Sequence, residues 1–264
     1  MTSNGVVTST IAGLKDKVNL IAMSNTDQTM YVSSELFVCA LRDGVFSRVD
    51  GITAKTRMTA SGVNDHSIYV CADDGTIHKI NDQAVSGTHV IEGNCAKDVS
   101  LDNDTIWVVT PRNTVHEIDA NSLTEKRKID IPYDGCSITA VKNAAEVWVG
   151  DKKGKIHVYS LESLEQTSEF QAHPHPVDVL TISPDGNRVA SGDHNRQIKV
   201  WNATTKEELL QHGLHKNAVL AIQFTADSSA IASAASDNSI VVYNIENKKS
   251  SQISMAHGPK TIVE

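Results

Sequence analysis

The sequence predicts an all-β fold made of repeated four-stranded sheets, and three observations point there. Strand-forming residues dominate the apolar positions, and stretches with helical spacing at i, i+3, i+4 and i+7 are scarce. The stretch "AHPHPVDVLTISPDGNRVASGDHNRQIKVWN" (172–202) overlays "LHKNAVLAIQFTADSSAIASAASDNSIVVYN" (214–244) without a gap, at a constant offset of 42. His173 meets His215, Val177 meets Val219, Asp185 meets Asp227, Ser191 meets Ser233, Ile198 meets Ile240 and Trp201 meets Tyr243. Each copy also keeps one internal order: apolar strand, polar turn, second strand, tight turn, third strand ending in an aromatic or aliphatic residue, then a more polar fourth segment. In 172–213 these pieces are "VDVLTIS", "PDGN", "RVASG", "DHNR", "QIKVWN" and "EELLQHG".

The other copies follow in order along the chain. The first, "TMYVSSELFVCAL", has a shorter turn. The next three share an apolar–His–x–apolar strand: Ile77-His78-Lys79-Ile80, Val115-His116-Glu117-Ile118 and Ile156-His157-Val158-Tyr159, at steps of 38 and 41 residues. "VWVGDKKGKIHVYS" overlays "VASGDHNRQIKVWN", which puts Gly150-Asp151 on Gly192-Asp193. A period near forty residues with four short strands per copy is the signature of a β-propeller, whose sheets must stack because none covers its own faces. Six copies place complete blades near 14–51, 52–93, 94–131, 132–171, 172–213 and 214–256 of a single domain spanning 1–264. Inner strands should be apolar on both faces, and fourth strands such as "TEKRKIDI" (124–131) should form a solvated rim.

The two ends carry fragments of a seventh blade. "VVTSTIAG" (Val6 to Gly13) reads as a fourth strand, while the offset of 42 carries His215 to His257 and Val219–Ala221 to Thr261–Val263. The expectation is a truncated chain or an imperfect, open ring.

Composition narrows the function. A net charge of −8 argues against a broad phosphate-binding surface, so nucleic acid is not an expected partner. The 264 residues are 40% hydrophobic, with no apolar run near the roughly 18 residues that span a membrane and no secretory leader, so no membrane association is expected. Cys39, Cys71, Cys95 and Cys136 are far apart and form no CxxC pair, which fits free thiols in the cytoplasm.

The repeat chemistry resembles the WD-repeat family: a His near the start of the blade, Ser in the second strand, Asp in the following turn and Trp in the third strand. The matching sets are His173, Ser191, Asn195 and Trp201 in the fifth blade, and His215, Ser233, Asp237 and Tyr243 in the sixth. Such a set is a buried polar chain that pins turn to strand, so these residues are expected to be structural. A metal site would have to gather His173, His175, His194, His212 and His215. Repeat position already explains His173 and His215, while His175 and His194 fall in exposed turns and His212 on a rim strand, so no metal ligands are expected. His78, His116 and His157 recur at one strand position, which favours packing over ligation.

The chain carries no GxSxG elbow, P-loop, GxGxxG, HExxH or DxDxDG loop. No enzyme activity, catalytic residue or cofactor is expected. Function should lie in loops displayed at one end, where Lys152, Lys153, Lys155, His175, His194, Arg196 and Lys216 are candidates for protein binding and the cations among them would make a basic arc. Ordinary solvated turn charges would look the same.

The succession "RMTASGVNDHSIYVCADDGTIHKIN", "VWVGDKKGKIHVYSLES", "HPHPVDVLTISPDGNRVASGDHNRQIKVWN" and "AVLAIQFTADSSAIASAASDNSIVVYN" resembles the second propeller of the actin-interacting protein 1 family, WD-repeat cofactors of cofilin. The resemblance runs from about Val6 to Val263 and is strongest after Asp134. It implies a non-enzymatic protein of the cytoplasm and cytoskeleton that binds actin filaments and cofilin and promotes disassembly of cofilin-decorated filaments, without cofactor. No family binding residue carries over, because the matching positions are structural. The alternative is a generic WD40 scaffold or adaptor subunit of another cytoplasmic complex.

Overall fold

The computed structural model describes residues 18–254 except 24–29, 35–37, 43–44, 53–57, 64–66, 73, 82–83, 92–95 and 103. The strand expected at Val6–Gly13, the register points His257 and Thr261–Val263, and Cys95 lie outside the described residues.

Among the described residues, twenty-four strands form six four-stranded sheets, each running in simple antiparallel order. The first holds β1 (Val18–Met23), β2 (Met30–Ser34), β3 (Val38–Arg42) and β4 (Val45–Arg48). The second holds β5 (Met58–Val63), β6 (Ile68–Ala72), β7 (Thr76–Asn81) and β8 (Ala84–Val90). The third holds β9 (Asp98–Asp102), β10 (Thr105–Thr110), β11 (Thr114–Asp119) and β12 (Glu125–Asp130). The fourth holds β13 (Gly135–Val141), β14 (Glu146–Asp151), β15 (Lys155–Ser160) and β16 (Gln166–Gln171). The fifth holds β17 (Val177–Ile182), β18 (Arg188–Asp193), β19 (Ile198–Asn202) and β20 (Glu208–His212). The sixth holds β21 (Val219–Phe224), β22 (Ala230–Ala235), β23 (Ser239–Asn244) and β24 (Ser250–Ser254). Among the described residues the only helical element is one 3-10 turn, Lys142–Ala144.

The chain divides into two compact units, Met1–Ala140 and Val141–Glu264. In the first, alternation along β6 explains how a sheet buries both faces. Ile68, Val70 and Ala72 pack with Val38, Ala40 and Ile80, whereas Tyr69 and Cys71 point the other way, into a cluster with Ile106, Val108 and Ile118. Tyr69 would strand its hydroxyl there, but it donates to Ala120 O at 2.7 Å. The second unit repeats the arrangement. Val189 and Trp201 join Trp148, Ile156 and Leu180, while Ala190, Ile198 and Val200 join Val219, Ile222 and Ile231. Phe170 wedges between two indoles, 5.7 Å from Trp148 and 5.1 Å from Trp201.

Fourth strands behave differently. Along β12 and β16 most residues are exposed, and β8 alternates exposed with half-buried positions. Short polar strands of this kind can end a sheet in water without offering an apolar edge.

Candidate functional site

In the fifth sheet the incoming loop delivers His173 beneath β18. Its Nε2 lies 2.6 Å from Ser191 Oγ, and Trp201 Nε1 donates to the same oxygen at 2.8 Å, so one hydroxyl ties loop, second strand and third strand. Ser191 is fully buried and His173 is 1% exposed, which leaves no path for a substrate. The acid of this brace is Asp193, not Asn195. Asp193 Oδ2 lies 3.6 Å from His173 Nδ1, a close charge contact longer than a hydrogen bond. Its Oδ1 accepts the turn amides of Asn195 (2.9 Å) and Gln197 (2.8 Å). Asn195 itself is exposed, and its amide meets His175 Nε2 at 3.1 Å. The physical reason is direction: Asp193 ends β18 pointing inward, whereas Asn195 sits at the turn tip. Burial pulls the His173 pKa down to about 4, against the pull of Asp193.

The sixth sheet has the expected members and one more. His215 Nε2 meets Ser233 Oγ at 2.8 Å, and its Nδ1 meets Ser239 Oγ at 3.0 Å. Ser239 in turn donates to Asp237 Oδ1 at 2.6 Å. Burial alone would push Asp237 up, but donors from Lys216 N and Ser239 outweigh it and hold its pKa at about 2. Tyr243 stacks on His212, with ring centroids 4.6 Å apart. His212 therefore leaves the rim for a half-buried slot in which neither ring nitrogen has a partner among the described residues, and burial lowers its pKa to about 4.

The third-strand histidines are not simply packed. His116 Nε2 meets Thr114 Oγ1 at 2.9 Å and its Nδ1 meets Glu125 Oε2 at 2.7 Å. His157 Nε2 meets Asp151 Oδ2 at 3.0 Å, and its Nδ1 lies 3.2 Å from Glu169 Oε2. In the fifth sheet Lys199 holds the equivalent position and donates to Glu208 at 2.8 Å. These fourth-strand glutamates escaped the sequence reading. Their signal was a carboxylate 9 to 12 residues after the third-strand base. His78 at the same position is half-buried, and burial lowers its pKa.

The loop candidates of the second unit gather at one end by topology, since the turns after β14, β18 and β22 and the loops after β16 and β20 all lie there. The turns are stitched to the loops by backbone bonds: Ala172 and His173 amides donate to Gly154 O, His194 N to Pro176 O and Ser236 N to Ala218 O. Gly154, at φ +83°, is required on two counts, because a Cβ there would also sit 2.0 Å from His173 O. Lys152, Lys153, His175, His194, Arg196 and Lys216 are exposed. His194 Nδ1 meets Asp178 at 2.7 Å. Lys155 departs from the arc: it ion-pairs with Glu169 along the sheet, a bond that raises the Lys155 pKa and lowers that of Glu169. Among the described residues no three His, Cys, Asp or Glu side chains come close enough to hold a metal ion.

Two segments, 164–202 and 207–244, match the WD domain, G-beta repeat model. Each match takes a fourth strand and the first three strands of the following sheet. In three dimensions a chain of the solved "Crystal Structure of Mitotic Checkpoint Complex" superposes with a TM-score of 0.79, covering 94% of this chain and 83% of that one at 15% identity. The chain folds as a WD40-type β-propeller. WD40 propellers are generally non-enzymatic scaffolds that mediate contacts between proteins. With 1820 solved chains matching, shape singles out no partner among them. No curated protein matches the sequence.

Proposed function

We propose that this WD40 propeller is a non-enzymatic docking module that binds cofilin-decorated actin filaments and promotes their disassembly in the cytoplasm. The observation that carries the docking role is the disposition of its reactive residue types. His173, Ser191 and Asp193 are almost wholly buried in a brace, whereas His175, His194, Arg196 and Lys216 stand exposed on turns held by backbone bonds. Chemistry that is sealed inside positions what is displayed outside. The actin reading rests on the order of the repeats, worn copies included, which resembles the second propeller of the actin-interacting protein 1 family. No helix among the described residues is long and apolar enough to cross a membrane. Sedimentation of actin filaments with and without cofilin tests the reading. The chain should pellet with cofilin-decorated filaments and stay in the supernatant with bare ones. Failure to pellet with decorated filaments, together with capture of a defined assembly lacking actin, would establish the generic scaffold instead.

A further inference from the structure

The turns at the loop end of the Val141–Glu264 unit carry their acids inward and their cations outward, while Asp178 on the adjoining strand pairs with His194. Asp151 Oδ1 accepts the amides of Lys153 and Lys155, both at 2.8 Å, and Asp193 does the same for Asn195 and Gln197. Asp237 takes Lys216 N at 2.6 Å and Ser239 N at 3.0 Å. The three carboxylates are thus buried or nearly so, at 2%, 0% and 7% exposure, and each fixes backbone that carries or adjoins an exposed cation. None of the acids in these turns is exposed. The opposite end exposes Glu162, Glu165, Asp185, Glu207, Asp227 and Glu246 against Lys142, Lys248 and Lys249. A net charge of −8 therefore coexists with one cationic face.

One member of that face is strained. In the second to sixth sheets the turn between second and third strands holds a residue with left-handed backbone: Gly75 (φ 90°), Asn113 (61°), Gly154 (83°), Arg196 (82°) and Asn238 (60°). Gly and Asn tolerate this region, but an arginine does not gain from it. Two of the large apolar side chains left in water, Leu214 at 38% and Leu220 at 63% exposure, flank Lys216 in sequence at the same end.

We propose that this face docks an acidic protein segment bearing apolar side chains, with Arg196 among the cations that contact it. Rigid turns lower the ordering cost of such a contact, and the cations steer an acidic partner. The proposal rests on the docking reading above, yet its assay contains no actin, so the two can fail separately. The probe is a labelled synthetic peptide of alternating Glu-Glu-Leu units, followed by fluorescence anisotropy with the full chain. Arg196→Gly and Lys248→Gly each remove one positive charge and one left-handed non-glycine, Lys248 having φ 57° at the opposite end. Both variants should melt about 2–4 °C higher than the parent. Only Arg196→Gly should weaken peptide binding, by about tenfold, and added salt should weaken it further. Equal affinity in Arg196→Gly and the parent would overturn the proposal, as would an equal loss in both variants. Equal binding of a Gln-Gln-Leu peptide, or a preference for phosphatidylserine vesicles or duplex DNA, would overturn it too.

Discussion

Ser191 satisfies two donors at once, and the unit around it depends on that single hydroxyl. Ser191→Ala leaves Trp201 Nε1 without its acceptor inside the core, so urea denaturation should show a loss of about 1–3 kcal/mol. The same measurement separates the two candidates for the turn member of the brace, Asp193 and Asn195. Asp193→Ala should cost about 1–3 kcal/mol by orphaning two turn amides, while Asn195→Ala should stay within about 0.5 kcal/mol because its side chain is in water. The family spacing pointed to Asn195, six residues before Trp201. The structural answer was also visible, in the Gly150-Asp151 and Gly192-Asp193 pairs at the repeat offset of 42, but spacing does not say which way a side chain points at a strand end. Buried histidines add a pH signature. His173 and His212 have folded pKa values of about 4 against 6.5 when unfolded, so below 6.5 the unfolded chain binds more protons. Their stabilisation is complete above pH 6.5 and is lost as pH falls from 6.5 towards 4. His212→Phe keeps a ring to stack on Tyr243 and cannot titrate, so its melting temperature should fall less over that window than the parent's. An identical fall would count against the burial of His212.

At the scale of the element, the inner strands were legible as short apolar runs, because both faces of each sheet are buried, and because turn residues punctuate those runs. The fourth strands were legible as polar rims. Their partners were not, because Glu125, Glu169 and Glu208 look like ordinary surface charge until the register of each sheet brings them to His116, His157 and Lys199. The energetic weight of the two carboxylates on His157 differs. Glu169 is 42% exposed, so its ion pair is screened by water and Glu169→Ala should leave the stability nearly unchanged. Asp151 is 2% exposed and serves His157 together with two turn amides, so Asp151→Ala should cost more than about 2 kcal/mol. Equal costs would show that the turn amides find water as readily as a carboxylate.

For the whole molecule, repetition carried most of the information. A period read from His173 and His215 extends to six four-stranded sheets, although the family model marks only the two segments at 164–202 and 207–244. Worn copies keep the strand pattern after losing the polar brace, because stacking requires apolar faces more strictly than it requires a particular His or Ser. The basic arc of Lys152, Lys153, Arg196 and Lys216 was legible from their turn positions; what stayed illegible was that the acids beside them, Asp151, Asp193 and Asp237, turn inward, because spacing does not give side-chain direction. The central claim is that sealed chemistry builds the platform and displayed turns do the binding. It is tested most directly by measuring the affinity of Ser191→Ala and Arg196→Gly for cofilin-decorated filaments, at a temperature where both are fully folded. Ser191→Ala should be the less stable protein with parental affinity, and Arg196→Gly the more stable protein with reduced affinity. Reduced affinity in folded Ser191→Ala, with parental affinity in Arg196→Gly, would contradict it.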